Sequence, residues 1–521
     1  MQFPDVSSTL VICITAIILT TLYAVRLRIC HHKLPLPPGP PKLPLVGNLF
    51  DVPSTYQWKL YARWSKQYDS DIIHLDLAGT SVIVLSSFEA TDALFEKRSS
   101  LYSDRGEFTM VRELMGWDFN VGDNWRKNRR LLQETFNVKA ARKYEPAELA
   151  GTHLLLYRLT VAPDDFMDHF RQMAGEIIMS ITYGIDVLPS DDPYVTLAHK
   201  AVRTFAFAAV PGVYLVDTFP ILRDIPRWFP GAGFKRQAEE WRKLAHDMLE
   251  LPYAETKRQM DAGIAPPSFT ADGLQALNDP DKAPYYQEHH VKHTAGTMYI
   301  GGADTTVSVL GTFVLAMLAN PEAQRRAQAE IDSVTGRKYL PTFEDEPALP
   351  YISALVKELM RWEVVSPLGE FIFVVAIPRR LAIEDEYRGY RLPAGSIVVG
   401  NAWAILHDER LYPDPYTFKP ERFLLDGKLN PAVKNPEAAF GFGRRLCPGR
   451  HMALSSIWIS VVSILATFDI CKAVDERGNV IEPSYDYLSG LISTPVPFKC
   501  SITPRSPGEV ALIQAAAKER L

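Results

Sequence analysis

From Val6 to Val25 the sequence reads VSSTLVICITAIILTTLYAV, a stretch of 20 residues without one charge, about the length at which a helix crosses ~30 Å of hydrocarbon. A secretory signal peptide is the rival reading, but its apolar core is shorter and ends at a small-residue cleavage site. Here the run meets Arg26, Arg28 and Lys33, while only Asp5 is charged before it. Positive charge is retained on the cytosolic side, so the bulk of the chain is expected in the cytosol. LPLPPGPPKLP, residues 34–44, follows with six prolines. Lacking amide donors and with φ fixed, it is neither helix nor central strand and reads as a stiff arm holding a domain off the membrane. A ligand for a proline-recognition module is the weaker alternative. The expected plan is a transmembrane anchor over 6–25, a basic flank and proline-rich arm over 26–44, a folded body over 45–505 and a tail over 506–521.

With 47% hydrophobic and 22% charged residues over 521 positions, the chain has globular composition and ample length for a large core. A formal net charge of -5 leaves no global basic footprint, which argues against nucleic acid as a partner. The five cysteines, Cys13, Cys30, Cys447, Cys471 and Cys500, are odd in number and contain no C-x-x-C pair. Neither a disulfide framework nor a zinc knuckle fits them.

IIHLDLAGTSVIVL, residues 72–85, alternates around a Gly-Thr turn and predicts a hairpin. Apolar periodicity predicts helices from about 125 to 180 and from 233 to 260. Residues 210–231, apolar but punctuated by four prolines, cannot form one helix. They roof an apolar pocket, dip into a membrane surface or form an ordinary buried connection. The longest helix is expected from near Glu288 to Asn320, stopped by Pro321, and another from about Tyr351 to Trp362. After Pro413 the chain is irregular until Gly449, and a last apolar helix is expected from about Met452 to Phe468. The fold class is mainly α with small β-sheets (α+β).

Inside the long helix lies GGADTT, residues 301–306. Two glycines in a helix interior cost roughly 1 kcal/mol each relative to alanine, so another body must approach closely there. Asp304 and Thr305 beside that loosened turn have the groups to hold water and pass protons into a dry cavity. A packing kink, with Asp304 satisfied by neighbouring hydroxyls, explains the hexapeptide equally well. His289 and His293, four apart, lack a third metal ligand at the right spacing and read as a solvated polar face. Glu358 and Arg361 form E-x-x-R on one helix face, and PERF at 420–423 adds Arg422. If buried together they pin the irregular segment to the helix, a structural role.

FGFGRRLCPG, residues 440–449, sets Cys447 among three glycines and two arginines. A lone buried cysteine is usually an apolar filler. Here Gly443 and Gly449 let backbone approach a flat ligand, Arg445 offers a charged hydrogen bond to an acid group, and Phe440 supplies an apolar wall. Amides of a glycine-rich loop aimed at sulfur would favour the thiolate, the form that binds metal.

Phe440, Gly443, Arg445, Cys447 and Gly449 in F-x-x-G-x-R-x-C-x-G, with Glu358 and Arg361 in E-x-x-R, PERF and G-G-A-D-T-T, resemble the haem-thiolate monooxygenases of the cytochrome P450 superfamily. The resemblance covers residues 34–503, and the anchor and proline arm match its microsomal members. It implies the P450 fold with an N-terminal transmembrane helix in the endoplasmic reticulum, the catalytic body facing the cytosol. It also implies that Cys447 is the axial ligand of haem b, and that Asp304 and Thr305 are the acid and alcohol that deliver protons. Trp125 and Arg129 in W-x-x-x-R, Arg445 and Arg379 match propionate-binding positions. Glu358, Arg361 and Arg422 match the buried triad supporting the cysteine loop. NADPH–cytochrome P450 reductase is the implied electron donor, and Arg444, Arg445 and Arg450 are candidates for its docking.

MGWDFN, VPGVYLVDTFP and WFPGAGFKR narrow the resemblance to fungal enzymes of secondary metabolism, a branch rich in terpenoid hydroxylases that also includes indole hydroxylases. A haem-thiolate isomerase or dehydratase without a reductase is the rival, opposed by the Asp304–Thr305 pair. Two departures from the family pattern stand out. DFNVGDNW before Trp125 is short, and GEFIFVV, residues 369–375, is inserted where a pocket-lining strand belongs. Gly-Glu-Phe can be encoded through GTGAGT, a common intron donor, so the insertion is hypothesised to be a retained intron, which the transcript sequence decides.

Overall fold

The structure is a computed structural model that describes residues 34–105, 108–118, 122–209, 213–278, 287–368, 379–490 and 492–518. The expected span at 6–25, the flank up to residue 33, the GEFIFVV segment and residues 119–121 lie outside the described residues.

Helix α1 (Gln57–Gln67) buries Tyr61 and Trp64 against the apolar side chains of the predicted hairpin, which forms as β1 (Ile72–Leu77) and β2 (Thr80–Leu85). Ala78 and Gly79 turn it with φ of 51° and 92°. The strands β3 (Asp104–Arg105), β4 (Arg379–Arg380) and β5 (Ile397–Gly400) complete a five-stranded sheet in the order β1-β2-β5-β4-β3, with β2 and β5 parallel.

That order leaves β1 at an edge, and the proline arm covers it. The Pro38 carbonyl accepts the His74 amide at 2.9 Å, the Val46 carbonyl accepts Ala78 at 3.1 Å, and the Asp76 carbonyl accepts Asn48 at 2.6 Å. Gly39 packs so tightly that a Cβ there would lie 2.2 Å from the His74 carbonyl oxygen. The arm is thus seated on the body: prolines lack amide donors but keep their carbonyls, and that of Pro38 accepts from the edge strand.

The helical stretch after residue 122 divides into α2 (Gly122–Phe136), α3 (Glu145–Val161) and α4 (Phe166–Tyr183). Asp192 then caps α5 (Pro193–Ala208) by accepting the amides of Tyr194 and Val195. Residues 213–231 are not one helix: a turn at Leu215–Thr218 and a 3-10 segment at Pro220–Asp224 leave Leu215, Ile221 and Trp228 exposed. They are therefore no buried connection. Helix α6 (Gly233–Asp261) follows.

The expected helix from Glu288 is two: α7 (Glu288–Ala303) and α8 (Thr305–Ala319), separated at Asp304, whose φ is -123°. The cause is local. Gly301 and Gly302 resist bending least, and the Thr305 hydroxyl donates to the Gly301 carbonyl at 2.8 Å, competing for an acceptor of the helical ladder. Beyond α9 (Pro321–Thr335) and α10 (Pro350–Trp362) the irregular segment leads to α11 (Arg450–Thr467). The α7–α8 stretch and α11 are long and apolar enough to cross a membrane, but most of each is buried within the molecule. They are core helices, apolar all round because protein surrounds them.

A two-stranded sheet, β6 (Phe468–Lys472) and β7 (Cys500–Pro504), precedes α12 (Pro507–Lys518). The residues read as a tail are therefore mostly helix, with Ile513 and Ala517 buried and Glu509 paired with Arg337 at 2.5 Å.

Candidate functional site

A cavity with about 100 Å³ of room for water-sized molecules opens where the α7–α8 break faces the segment before α11. Ile177 of α4, Gly301, Thr305, Phe440, Cys447 and Gly449 are among its walls, which are predominantly apolar. Gly301 exposes backbone there. Gly302 lines the cavity as well, and a Cβ on it would lie 2.8 Å from Ile178 Cγ1, so its thinness admits α4.

The cysteine segment is held by its own backbone. Phe440 accepts the Cys447 amide at 2.9 Å, and Gly443 accepts that of Leu446 at 2.8 Å. Gly443 has φ of 52°, and a Cβ on it would lie 2.0 Å from the Phe95 carbonyl oxygen. Contact with the helical turn Asp92–Lys97 is thus one reason for a glycine here. Gly449, which starts α11, does line the cavity.

Burial pushes the Cys447 thiol up to about 11, while the Gly449 amide and the charges of Arg129 and Arg450 pull it down. Burial wins, so the amide donors do not by themselves make a thiolate. A cation at the sulfur supplies the missing stabilisation, as a bound metal does when it displaces the thiol proton.

Cationic groups gather on one side. The Arg445 guanidinium lies 3.3 Å from the Trp125 ring centroid and donates to the Ser103 carbonyl at 2.8 Å. Burial, followed by the charges of Arg105, Arg379 and Arg129, pushes Arg445 down to about 7, with Asp104 the opposing acid. Burial holds Arg129 at about 10, and its Nε is buried without a hydrogen-bond acceptor among the described residues. Arg379, 1% exposed, donates to the Phe442 carbonyl at 2.5 Å and lies 4.1 Å from the Phe95 ring centroid. Among the described residues four guanidiniums converge near Asp104, a setting that suits anionic groups. The two propionates of haem fit that demand, and its iron fits the sulfur's. Of the three arginines expected to dock a reductase, Arg445 is turned inward, Arg450 reaches back to the Cys447 carbonyl, and Arg444 is exposed.

Asp304 and Thr305 diverge. Thr305 lines the cavity, whereas the Asp304 carboxylate meets His199 Nδ1 of α5 at 3.3 Å and Arg171 Nε of α4 at 4.0 Å. The packing-kink alternative does not match this arrangement, since the carboxylate is met by other helices and not by adjacent hydroxyls.

Glu358, Arg361 and Arg422 meet in the interior. Arg361 donates to both carboxylate oxygens of Glu358 at 2.7 and 2.9 Å, and Arg422 Nε reaches the same group at 3.0 Å. Arg361 also donates to the carbonyls of Leu406 and Pro415, and Glu358 accepts the Lys419 amide at 2.8 Å. With both carboxylate oxygens and several carbonyls saturated, the cluster ties α10 to the irregular chain leading to the cysteine. His289 and His293 form no metal cluster among the described residues.

Arg105 and His199 belong to these clusters and were not singled out in the sequence. Each lies far along the chain from its partners, and neither stands in a pattern that marks it.

The family model for Cytochrome P450 matches residues 37–501. Cytochrome P450 monooxygenase 98 of Postia placenta is 48% identical over 490 residues, covering 92% of each chain. Tryptamine 4-monooxygenase of Psilocybe cyanescens is 42% identical over 90% of this chain and 93% of its own. Cytochrome P450 monooxygenase ple1 of Rhodocybe pseudopiperita is 42% identical over 93% and 92%. The chain belongs to the cytochrome P450 family of oxidoreductases, which use haem b and electrons from NAD(P)H through a reductase partner.

Proposed function

We propose that this protein inserts one oxygen atom of O₂ into a lipophilic small molecule, a terpenoid of a fungal secondary-metabolite pathway. The carrying observation is that Cys447 and Thr305 share one predominantly apolar cavity. Such walls bury hydrocarbon and leave few polar groups to orient a substrate.

In this reading Cys447 would hold the haem iron through its sulfur. Trp125, Arg129, Arg379 and Arg445 would hold the propionates, and Phe440 and Gly449 would pack against the macrocycle. When bound, the haem supplies activation of O₂, and its thiolate ligand favours O–O cleavage. Thr305 holds a proton donor at the cavity wall, Asp304 stores the proton behind it, and Glu358, Arg361 and Arg422 keep the cysteine loop in place. Apolar walls exclude bulk water, which keeps proton entry confined to these groups.

A second reading, hydroxylation of an indole, is favoured by the printed activity of the Psilocybe cyanescens relative. An isomerase or dehydratase reading is opposed by the presence of Asp304 and Thr305. Reconstitution with NADPH–cytochrome P450 reductase against neutral terpenoids and indole amines separates all three. The terpenoid reading expects NADPH-dependent product from a terpenoid; product only from indole amines overturns it, and turnover without NADPH revives the isomerase.

The same reading places the protein in the endoplasmic reticulum membrane by a single span at 6–25, with the body in the cytosol. The uncharged run followed by Arg26, Arg28 and Lys33 supports it. Exposed Leu215, Ile221 and Trp228, at 66%, 75% and 79%, add an apolar surface suited to the bilayer interface.

A further inference from the structure

Asp304 does not face the cavity, and what it faces instead is informative. Its carboxylate, 15% exposed, meets His199 Nδ1 at 3.3 Å, and His199 is 31% exposed. Arg171, at 4.0 Å from the same oxygen, is itself tied to Asp168. Along this line an imidazole open to water touches a carboxylate about half as exposed, and the next residue, Thr305, lines the cavity. We propose that His199 is the outermost member of the proton path into the cavity, taking protons from solvent and passing them to Asp304. The proposal rests on the reading of Asp304 and Thr305 as proton carriers.

The chemistry demands such an entry. Monooxygenation places one oxygen atom of O₂ in the substrate and reduces the other to water, consuming two electrons from the reductase and two protons. Those protons must cross a wall that is otherwise apolar. In the transfer at His199 the Nδ1–H bond of the imidazolium breaks, an O–H bond forms on Asp304, and no electrons move. The partly exposed ring then recovers a proton from water. An imidazole can both take up and release a proton through its ring nitrogens, which suits it to a shuttle. Arg171 has a different part: its fixed charge holds the carboxylate toward His199, and a guanidinium does not give up its proton.

The competing account is that His199 only positions Asp304 by a hydrogen bond. Glutamine at 199 separates the two, because its amide donates a hydrogen bond but carries no proton. The holoenzyme with its reductase is assayed as wild type, His199→Gln, His199→Ala, Asp304→Asn and Thr305→Ala, recording product formed per NADPH, peroxide released and the solvent deuterium isotope effect. The reduced carbon-monoxide Soret band shows that each variant keeps its thiolate. A general acid contributes ~10²-fold or more, and water can partly stand in for its outermost member. Both His199 variants are therefore expected to lose coupling by roughly an order of magnitude, with a larger isotope effect and with free imidazole restoring His199→Ala.

Wild-type coupling in His199→Gln alongside uncoupled Asp304→Asn overturns the relay and leaves the role of Asp304 standing. Unchanged coupling in both Asp304→Asn and Thr305→Ala overturns the underlying reading, and the relay with it. A second readout needs no turnover: ¹⁵N spectra of His199 in the diamagnetic ferrous carbon-monoxide state. Protonated Nδ1 that changes on Asp304→Asn is expected, and indifference of the ring to that substitution overturns the proposal.

Discussion

The Arg445 guanidinium sits 3.3 Å from the centroid of the Trp125 ring, joining two cofactor candidates that lie 320 residues apart in the chain. The ring contact and the hydrogen bonds to the Ser103 carbonyl hold the planar guanidinium in place. A lysine ammonium is a point charge without that plane. Arg445→Lys and Trp125→Leu are therefore both expected to speed haem loss. Losing a charged hydrogen bond costs ~1.5–3 kcal/mol, or roughly tenfold or more in retention. The ratio of Soret to protein absorbance after desalting measures it, and retention equal to wild type in both variants contradicts the assignment.

Glu358 and Arg361 are fully buried, at 0% exposure each. Removing one charge strands the others, at ~3–5 kcal/mol. Glu358→Gln should lower the urea midpoint by that equivalent. Breaking the exposed Arg325–Glu322 pair should cost only ~0–1 kcal/mol. Equal effects at the two places would contradict the buried network.

Glu148 of α3 is also fully buried and accepts hydrogen bonds from Ser455 and Ser456 of α11 at 2.9 and 3.0 Å. Burial pushes its carboxyl up to about 8, more than those hydroxyls pull it down, with the Glu145 charge adding to the rise. The folded state thus binds this proton more tightly than the unfolded state does. Its stabilising contribution is complete below the ordinary carboxyl range and is lost as pH rises toward 8, a swing of a few kcal/mol in order of magnitude. Glu148→Gln keeps the acceptor oxygen and cannot ionise. Melting curves from pH 5 to 8 should show wild type losing stability relative to the variant, and parallel curves would refute the shift.

Gly302→Ala sets a methyl 2.8 Å from Ile178 Cγ1. Overpacking costs ~1–3 kcal/mol, less up to ~1 kcal/mol regained by alanine in a helix. Ile178→Ala in the same chain should relieve it, and a double-mutant cycle with no coupling energy would show that α4 is not what the glycine admits.

For the GEFIFVV insertion at 369–375, the transcript is expected to lack those codons, and the shortened protein is expected to take up more haem than the full chain. A message that contains them refutes the retained-intron hypothesis.

What could be read from the sequence was what lies close together in it. The hairpin at 72–85, the bounds of α10 and the spacing of Glu358 and Arg361 depend on neighbours within a few residues, where periodicity and turn chemistry act. Reasons that involve distant chain were read wrongly or missed. Gly443 answers to the Phe95 carbonyl, Asp304 to His199 and Arg171, and the proline arm to His74. Each of those partnerships is decided by how the sheet and α4 pack, which no local pattern encodes. Helix α12 escaped notice because its alanine-rich stretch lacks a strong apolar period.

The seating of Pro38, Val46 and Asn48 along β1 bears on how the protein behaves in solution. An uncovered outer strand is a template on which a second chain can add. Trimming that removes the uncharged run at 6–25 but stops short of Leu34 leaves this border closed. Trimming ten residues further, a natural choice if the prolines were only a tether, would strip the His74 amide of its acceptor and expose strand to strand. The expected result is a protein that still holds its core yet clumps, so solubility would fall although only polar backbone had been uncovered.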